Sequence, residues 1–323
     1  MSVARFVPET WELSGDEARH ALRHTGRKKL ARDAFVRFRA SDGFSHARSL
    51  AFVTSLLLVQ GVILLVGLAA SLGDTDLSAT IVRTINEAVP GPAGKALTDA
   101  VFHAYKTGSS GQNLVLVVIG ITTVITGTTL MGQMERALNR LYGIEQDRPT
   151  VKKYGRAFVL TLTAGVLSTA AFAMFALGHG IGQGLNDDTV TDIWKFVRWP
   201  IALVLMMAAI ALLFRWSPNR HQPAWSWMAF GSTVSVVLWS LATLGLGLFF
   251  QASTTFSTTY GPLAGMIALL LWALLSSIAI LFGAAIAVQL EAVRAGAADP
   301  RDERKAAVGS EQGSPVLAGT AGA

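Results

Sequence analysis

Two arginines one helical turn apart, Arg136 and Arg140, stand just beyond the end of a long uncharged stretch. The local sequence is Met134-Glu135-Arg136-Ala137-Leu138-Asn139-Arg140-Leu141-Tyr142-Gly143. At i, i+4 the two arginines share one helix face, Glu135 and Asn139 form the adjacent face, and Leu138, Leu141 and Tyr142 supply apolar contact. Planar guanidinium groups take phosphate oxygens two at a time, which a lysine ammonium does not. The segment therefore has two readings. It is a basic anchor with an intrahelical Glu-Arg pair, or it is a lipid-headgroup site built from Glu135, Arg136, Asn139, Arg140 and Tyr142.

Other chemistry is sparse. There is no cysteine, which excludes disulfides, thiolate catalysis and cysteine-bound metal. The six histidines are scattered among charged connectors and form no paired metal motif. No phosphate-binding loop and no G-x-S-x-G elbow is present. Alternating glycines from Gly178 to Gly184 lack the Lys-Ser/Thr of a phosphate loop and read as an exit from a helix. No catalytic residue, metal or cofactor is expected, and the chain reads as a non-enzyme.

The elements that position these residues follow from the charge map. Residues 49–73, 107–134, 157–178, 199–214 and 222–290 contain no Asp, Glu, Lys or Arg, and the last block is divided by Ser/Thr-rich turn signals ending in Tyr260-Gly261-Pro262. A helix needs about 20 apolar residues to cross a hydrocarbon core. The expectation is an all-α membrane protein with six transmembrane helices, at about 50–72, 113–134, 157–178, 199–215, 226–250 and 263–290, joined by short interfacial amphipathic helices. The hydrophobic fraction of 51% and charged fraction of 15% agree with it. The net charge of +6 sits in particular connectors, so nucleic acid is not an expected partner.

Lys and Arg number 10, 6, 2 and 4 in the N-terminal arm, the second-to-third connector, the fourth-to-fifth connector and the C-terminal tail, against 3, 2 and 0 on the other side. That bias places both termini in the cytoplasm. Residues 1–48 form a basic arm, with a capping box at Ser14 and Glu17 and an amphipathic helix carrying Leu30, Ala34, Phe35 and Phe38 at the membrane surface. Leu77, Ile81 and Ile85, then Ala93, Leu97 and Val101, mark two short amphipathic helices on the outer surface. Residues 292–323 read as a disordered cytoplasmic tail.

Ser276, Ala279, Gly283 and Ala287 make a small-residue stripe on the last span, extended by Gly261 and Gly265, as a helix-packing seam requires. The span interiors hold glutamines (Gln60, Gln251, Gln289) but no charge, which argues against a carboxylate ion relay.

Three segments resemble the YihY/BrkB family of bacterial inner-membrane proteins. They are Asp42-Gly43-Phe44-Ser45-His46-Ala47-Arg48 entering the first span, Ala137-Leu138-Asn139-Arg140-Leu141-Tyr142-Gly143 after the second, and Tyr260-Gly261-Pro262-Leu263-Ala264-Gly265 before the last. The basic arm and tail are most similar to the YhjD-like branch. The resemblance implies a six-span plasma-membrane protein with a role in envelope integrity or export. It also brings a ribonuclease label that no residue cluster here supports. Gln60 stands where relatives often carry proline. Ala285 stands where many carry glutamate, with Gln289 one turn on. Neither a kink nor an ion-coupling role is carried over.

The leading expectation is a protein that exports or organises a lipid or other amphiphile, with anionic lipids as partners. A structural or assembly protein for envelope integrity, without a transported substrate, is the competing class. A small-solute exporter or channel comes third, and a homo-oligomer is an open alternative to a monomer.

Overall fold

A chain crossing hydrocarbon must satisfy every backbone N–H and C=O internally, and the uncharged blocks do so as long helices. The computed structural model describes residues 3–10, 20–23, 25–71, 79, 81–82, 85, 89–109, 113–184, 188–253 and 255–303. Side chains of α5 and α6 between 172 and 195 are outside that description. The elements are α1 (Arg27–Ala40), α2 (Gly43–Ser71), α3 (Gly91–Ser109), α4 (Asn113–Leu141), α5 (Thr150–Gly184), α6 (Asp188–Trp216), α7 (Trp225–Ala252), the short α8 (Thr255–Tyr260), a 3-10 turn (Gly261–Leu263) and α9 (Ala264–Arg294).

Five helices among the described residues are long and apolar enough to cross a membrane: Gly43–Leu68, Leu114–Leu141, Trp199–Trp216, Trp225–Ala252 and Ala264–Arg294. The sixth expected crossing, 157–178, lies within the unbroken 35-residue α5. Its far part falls among the undescribed side chains, so five are found where six were expected. The expected fourth span is the second half of a longer helix. α6 runs 29 residues straight through Pro200. Membrane helices tolerate such a proline because neighbouring groups take up the freed carbonyl. At Gln60 α2 continues without a break, and the Gln60 Oε1 is buried with no hydrogen-bond partner among the described residues.

The long helices close a cycle in which α2 touches α4, α4 touches α5, α5 touches α6, α6 touches α7, α7 touches α9, and α9 returns to α2. Two apolar cores lie within it, and they differ in membership. At the arginine-rich end, hereafter the basic end, one core takes Leu50 of α2, Leu138 of α4, Leu160 of α5, Phe214 of α6, Trp227 of α7 and Leu281 of α9, with Phe38 of α1. The core at the opposite end is built from Val66 of α2, Leu97 of α3, Leu246 of α7 and Trp272 of α9, and contains no described residue of α4, α5 or α6. At that end the side chains 172–195 of α5 and α6 lie outside the described residues, while Leu116 of α4 is buried and lies against Gly67 of α2. On α4, Leu130, Met131, Met134, Ala137, Leu138 and Leu141 are buried, whereas Leu114, Val117, Val118, Ile121 and Ile125 are all more than half exposed.

Two segments expected at the surface are packed inside. Ala93, Leu97 and Val101 of α3 are buried in the second core, and α3 lies against α2, α7 and α9. The approach to α9 is close, since a Cβ on Gly265 would sit 2.8 Å from the Ala96 Cβ. Leu30, Ala34 and Phe38 of α1 are buried against protein, with the Phe38 ring 4.9 Å from Phe44 and 6.1 Å from Phe282 between ring centres, whereas Phe35 stays 43% exposed. The expected tail also needs correction. α9 extends to Arg294, Ala297 is buried, and residue 301 pairs with residue 4 in an antiparallel bridge. Hydrogen bonds to buried groups hold 295–303 in place, while 304–323 and the capping box at Ser14 and Glu17 lie outside the described residues.

Candidate functional site

The basic end holds a layered polar cluster. The end of α4 supplies its first layer. α4 stops at Leu141, and Gly143 follows at φ +73°, a conformation that favours glycine. A Cβ there would also meet the Phe6 backbone N at 2.7 Å, so Gly143 lets the N-terminal segment 3–10 cross the helix end. That strap is tied by Val3 N to Ala40 O at 2.9 Å and by Val7 N to Tyr142 O at 3.1 Å.

Asp147, in the loop after α4, gathers three donors: Lys153 Nζ at 2.8 Å, Asn139 Nδ2 at 3.0 Å and Arg136 Nε at 3.1 Å. Burial pushes its carboxyl up, but the hydrogen bonds from Lys153, Asn139 and Arg136 outweigh it and hold the group down at about 2. Beside it, Glu135 pairs with Arg148 at 3.1 Å, and Arg148 Nη1 donates to Ser217 O at 2.7 Å. Asn139 spans the same gap, its Oδ1 accepting from Asn219 N at 2.8 Å. These bonds tie the α4 end to the α6–α7 loop.

Deeper in stands Glu291, fully buried near the end of α9. Its Oε1 accepts from Arg220 Nη2 at 2.5 Å and from Thr10 Oγ1 at 2.7 Å. Arg220 also donates to Val7 O at 2.9 Å and Pro8 O at 3.0 Å, and lies 4.3 Å over the Tyr142 ring. The Tyr142 hydroxyl donates to Gln222 Oε1 at 2.9 Å, and burial with the nearby Glu291 charge raises its pKa far above the ordinary phenol value. Arg37 of α1 is fully buried. It donates through Nε to Gln289 Oε1 at 2.7 Å, and through Nη1 to Arg5 O at 2.9 Å and Leu141 O at 3.2 Å. Burial lowers its pKa to about 10, so it is charged at neutral pH. Gln289 completes the layer by donating to Ala298 O at 2.6 Å.

Of the five residues suggested for headgroup contact, the structure encloses three. Glu135, Asn139 and Tyr142 are 2%, 0% and 3% exposed and are committed to partners within the protein. They brace the site and cannot touch a headgroup, because i, i+4 spacing alone does not say which face a neighbouring loop covers. Arg136 remains more than half exposed, and Arg140, half-buried, donates to Ile144 O at 3.0 Å.

The small-residue stripe divides by partner. Gly283 faces α7, where an added Cβ would lie 2.0 Å from Ser235 Oγ and 2.7 Å from Gly231 O. Ala287 comes up against Gly231. Ala279 is buried in the same helix, and the Ser276 hydroxyl bonds back to Trp272 O at 2.8 Å. Gly265 packs on α3, as above. Gly261 makes no such contact. It has φ +49° and open space around it, so it serves the turn before α9.

Sequence reasoning missed Arg37, Arg220, Glu291 and Asp147. A signal existed for Arg37, which lies on the Leu30, Ala34 and Phe38 face of α1 and so places a charge in an apolar stripe. Among the described residues no group of three or more His, Cys, Asp or Glu is placed to hold a metal.

Comparison with known proteins adds the lineage. The family model described as Virulence factor BrkB matches residues 34–308. The Bacillus subtilis protein named "Putative ribonuclease-like protein YfkH" is 23% identical over 261 residues, covering 79% of this chain and 92% of its own. A UPF0761 membrane protein of Idiomarina loihiensis is 26% identical over 179 residues (55% of this chain, 62% of that protein), and one of Azoarcus is 28% identical over 260 residues (79% and 62%). This chain thus spans about three fifths of the length of the latter two. No solved structure matches.

Proposed function

The chain belongs to the BrkB family of membrane proteins, and we propose that it exports or organises a lipid or other amphiphile in the bacterial inner membrane, with both termini in the cytoplasm. The carrying observation is the polar cluster at the basic end, where the long helices share one core and Arg136 stays more than half exposed beside long apolar helices. A charged end on an apolar bundle suits a molecule with a charged head and a hydrocarbon tail. Threonines Thr122, Thr123, Thr128 and Thr161 of α4 and α5 bond back to their own helices, which leaves those helix faces only weakly polar. The positive-inside bias supports a cytoplasmic basic end.

The non-enzymatic reading rests on the kind of groups gathered at the basic end. Its carboxylates Glu135, Asp147 and Glu291 are each held by arginine or lysine, which suits bracing rather than metal or acid–base chemistry. The ribonuclease-like name of the Bacillus relative is therefore not extended to this chain.

The test is lipid movement by purified protein in liposomes of neutral lipid doped with a fluorescent phosphatidylglycerol. Faster exchange between leaflets than in protein-free vesicles supports the proposal. Exchange equal to that of empty vesicles, with defined partner proteins recovered from the membrane, favours the assembly role instead. For orientation, a periplasmic reporter fused after Glu291 should be inactive.

A further inference from the structure

Among the described residues, Arg37 is the buried group at the basic end whose charge the geometry leaves unmet. Its acceptors are an amide oxygen and two backbone carbonyls, and among the described residues it has no ion-pair partner. Its Nη2 is buried and makes no hydrogen bond. The carboxylate of this layer, Glu291, is taken by Arg220. Arg37, Arg220 and Glu291 therefore leave one surplus positive charge in a site from which water is largely removed. An uncompensated buried guanidinium is costly, and an anion removes that cost.

The strap explains how the site stands closed. Three of its backbone carbonyls, on Arg5, Val7 and Pro8, point at the guanidinium groups of Arg37 and Arg220. They occupy the donors that the oxygens of a phosphate or carboxylate would use. Around them, Thr10 bonds Glu291, Glu9 accepts from His221 N at 3.1 Å, and the bridge between residues 4 and 301 fixes the strap to the segment after α9. If the strap lifts, Arg37 and Arg220 lose three acceptors together while Gln289 and Glu291 remain.

We infer that Arg37, assisted by Arg220, forms an oxyanion site for a phosphate-bearing group, and that residues 3–10 are its internal occluding strap, with carbonyl oxygens in the anion's place. This rests on the proposed amphiphile only for the tail of the ligand. The recognised chemistry is the phosphate, whether on a lipid headgroup or free.

The absence of cysteine gives a clean test. Residues 4 and 301 are flanked by Arg5 N to Pro300 O and Asp302 N to Val3 O, which makes them a non-hydrogen-bonded antiparallel pair. Such pairs stand about 4.5 Å apart between Cα atoms, within disulfide reach. The double variant Ala4→Cys/Arg301→Cys would lock the strap when oxidised and free it when reduced. Purified full-length protein in neutral detergent is titrated in both states with short-chain phosphatidylglycerol, short-chain phosphatidylcholine and inorganic phosphate.

The reduced protein should bind phosphatidylglycerol at least about fivefold more tightly than the oxidised protein, since the lock removes the open population. Arg37→Gln in the reduced background should abolish that difference. Redox-sensitive binding of phosphate without phosphatidylglycerol supports the site and assigns it to a free anion. Binding of both anions that ignores the disulfide overturns the inference, as does a structure of the reduced protein at saturating phosphatidylglycerol with water alone on Arg37 Nη2. If Arg37→Gln does not fold, the oxidised and reduced forms of the double variant still decide. Leaflet exchange is read separately, so an occlusion that fails here leaves the transport proposal standing, and the reverse also holds.

Discussion

At the scale of single residues, the basic end is held by charges that depend on one another. Arg220 joins Glu291, two strap carbonyls and the Tyr142 ring, and both charged side chains are almost fully enclosed. Removing either partner leaves the other buried and unpaired, which costs about 3–5 kcal/mol. Arg220→Ala and Glu291→Ala should each lower the melting temperature in detergent strongly, and the double variant should lose less than the sum of the two. Additive losses would mean that the two side chains act independently. Asp147 gives a second prediction, with a defined sign. Its folded-state pKa of about 2 lies below that of an unfolded carboxyl, so its contribution is present above pH about 4 and disappears as pH falls through about 2. Asp147→Asn should cost about 1–2 kcal/mol near neutral pH, with the full shift discounted for partial solvent screening. Denaturant titrations of the variant and parent should draw together below about pH 4 and converge only below about pH 2.

At the scale of elements, α9 approaches α7 closely at Gly283. Gly283 cannot accept a Cβ without displacing the backbone of Gly231 and Ser235. Gly283→Val should therefore prevent stable folding, and Gly283→Ala should cost about 1–3 kcal/mol through overpacking. Gly261→Ala meets open space and should cost only about 1 kcal/mol, from its positive φ. Thermal unfolding of the three variants should follow that order. The stripe itself was legible in the sequence because i, i+3, i+4 spacing of small residues fixes a helix face. What each residue would meet was not legible, and so Gly261, Gly265 and Gly283 turned out to serve a turn, α3 and α7 respectively. α3 shows the same limit. Its buried face at Ala93, Leu97 and Val101 was visible as a pattern, but an amphipathic pattern does not distinguish a membrane surface from a groove between helices.

At the scale of the molecule, uncharged blocks alone disclosed the all-helical membrane architecture, because no charged residue is cheaply placed at mid-bilayer. The polar cluster was only half visible. Its α4 part lies in one continuous segment, whereas Arg37, Arg220 and Glu291 are brought together from positions far apart in the chain, and single-sequence spacing carries no record of such contacts. The transport proposal places an acyl chain beside α4, which has a half-buried face at Ile119, Thr123 and Thr126 opposite its exposed face at Leu114, Val118, Ile121 and Ile125. Photo-crosslinking with a phospholipid carrying a diazirine on its acyl chain, followed by peptide mapping, reads that placement directly. Adducts on Ile119, Thr123 and Thr126 as well as on the exposed face are the predicted result, and adducts confined to the exposed face would contradict an acyl chain entering between α4 and its neighbours.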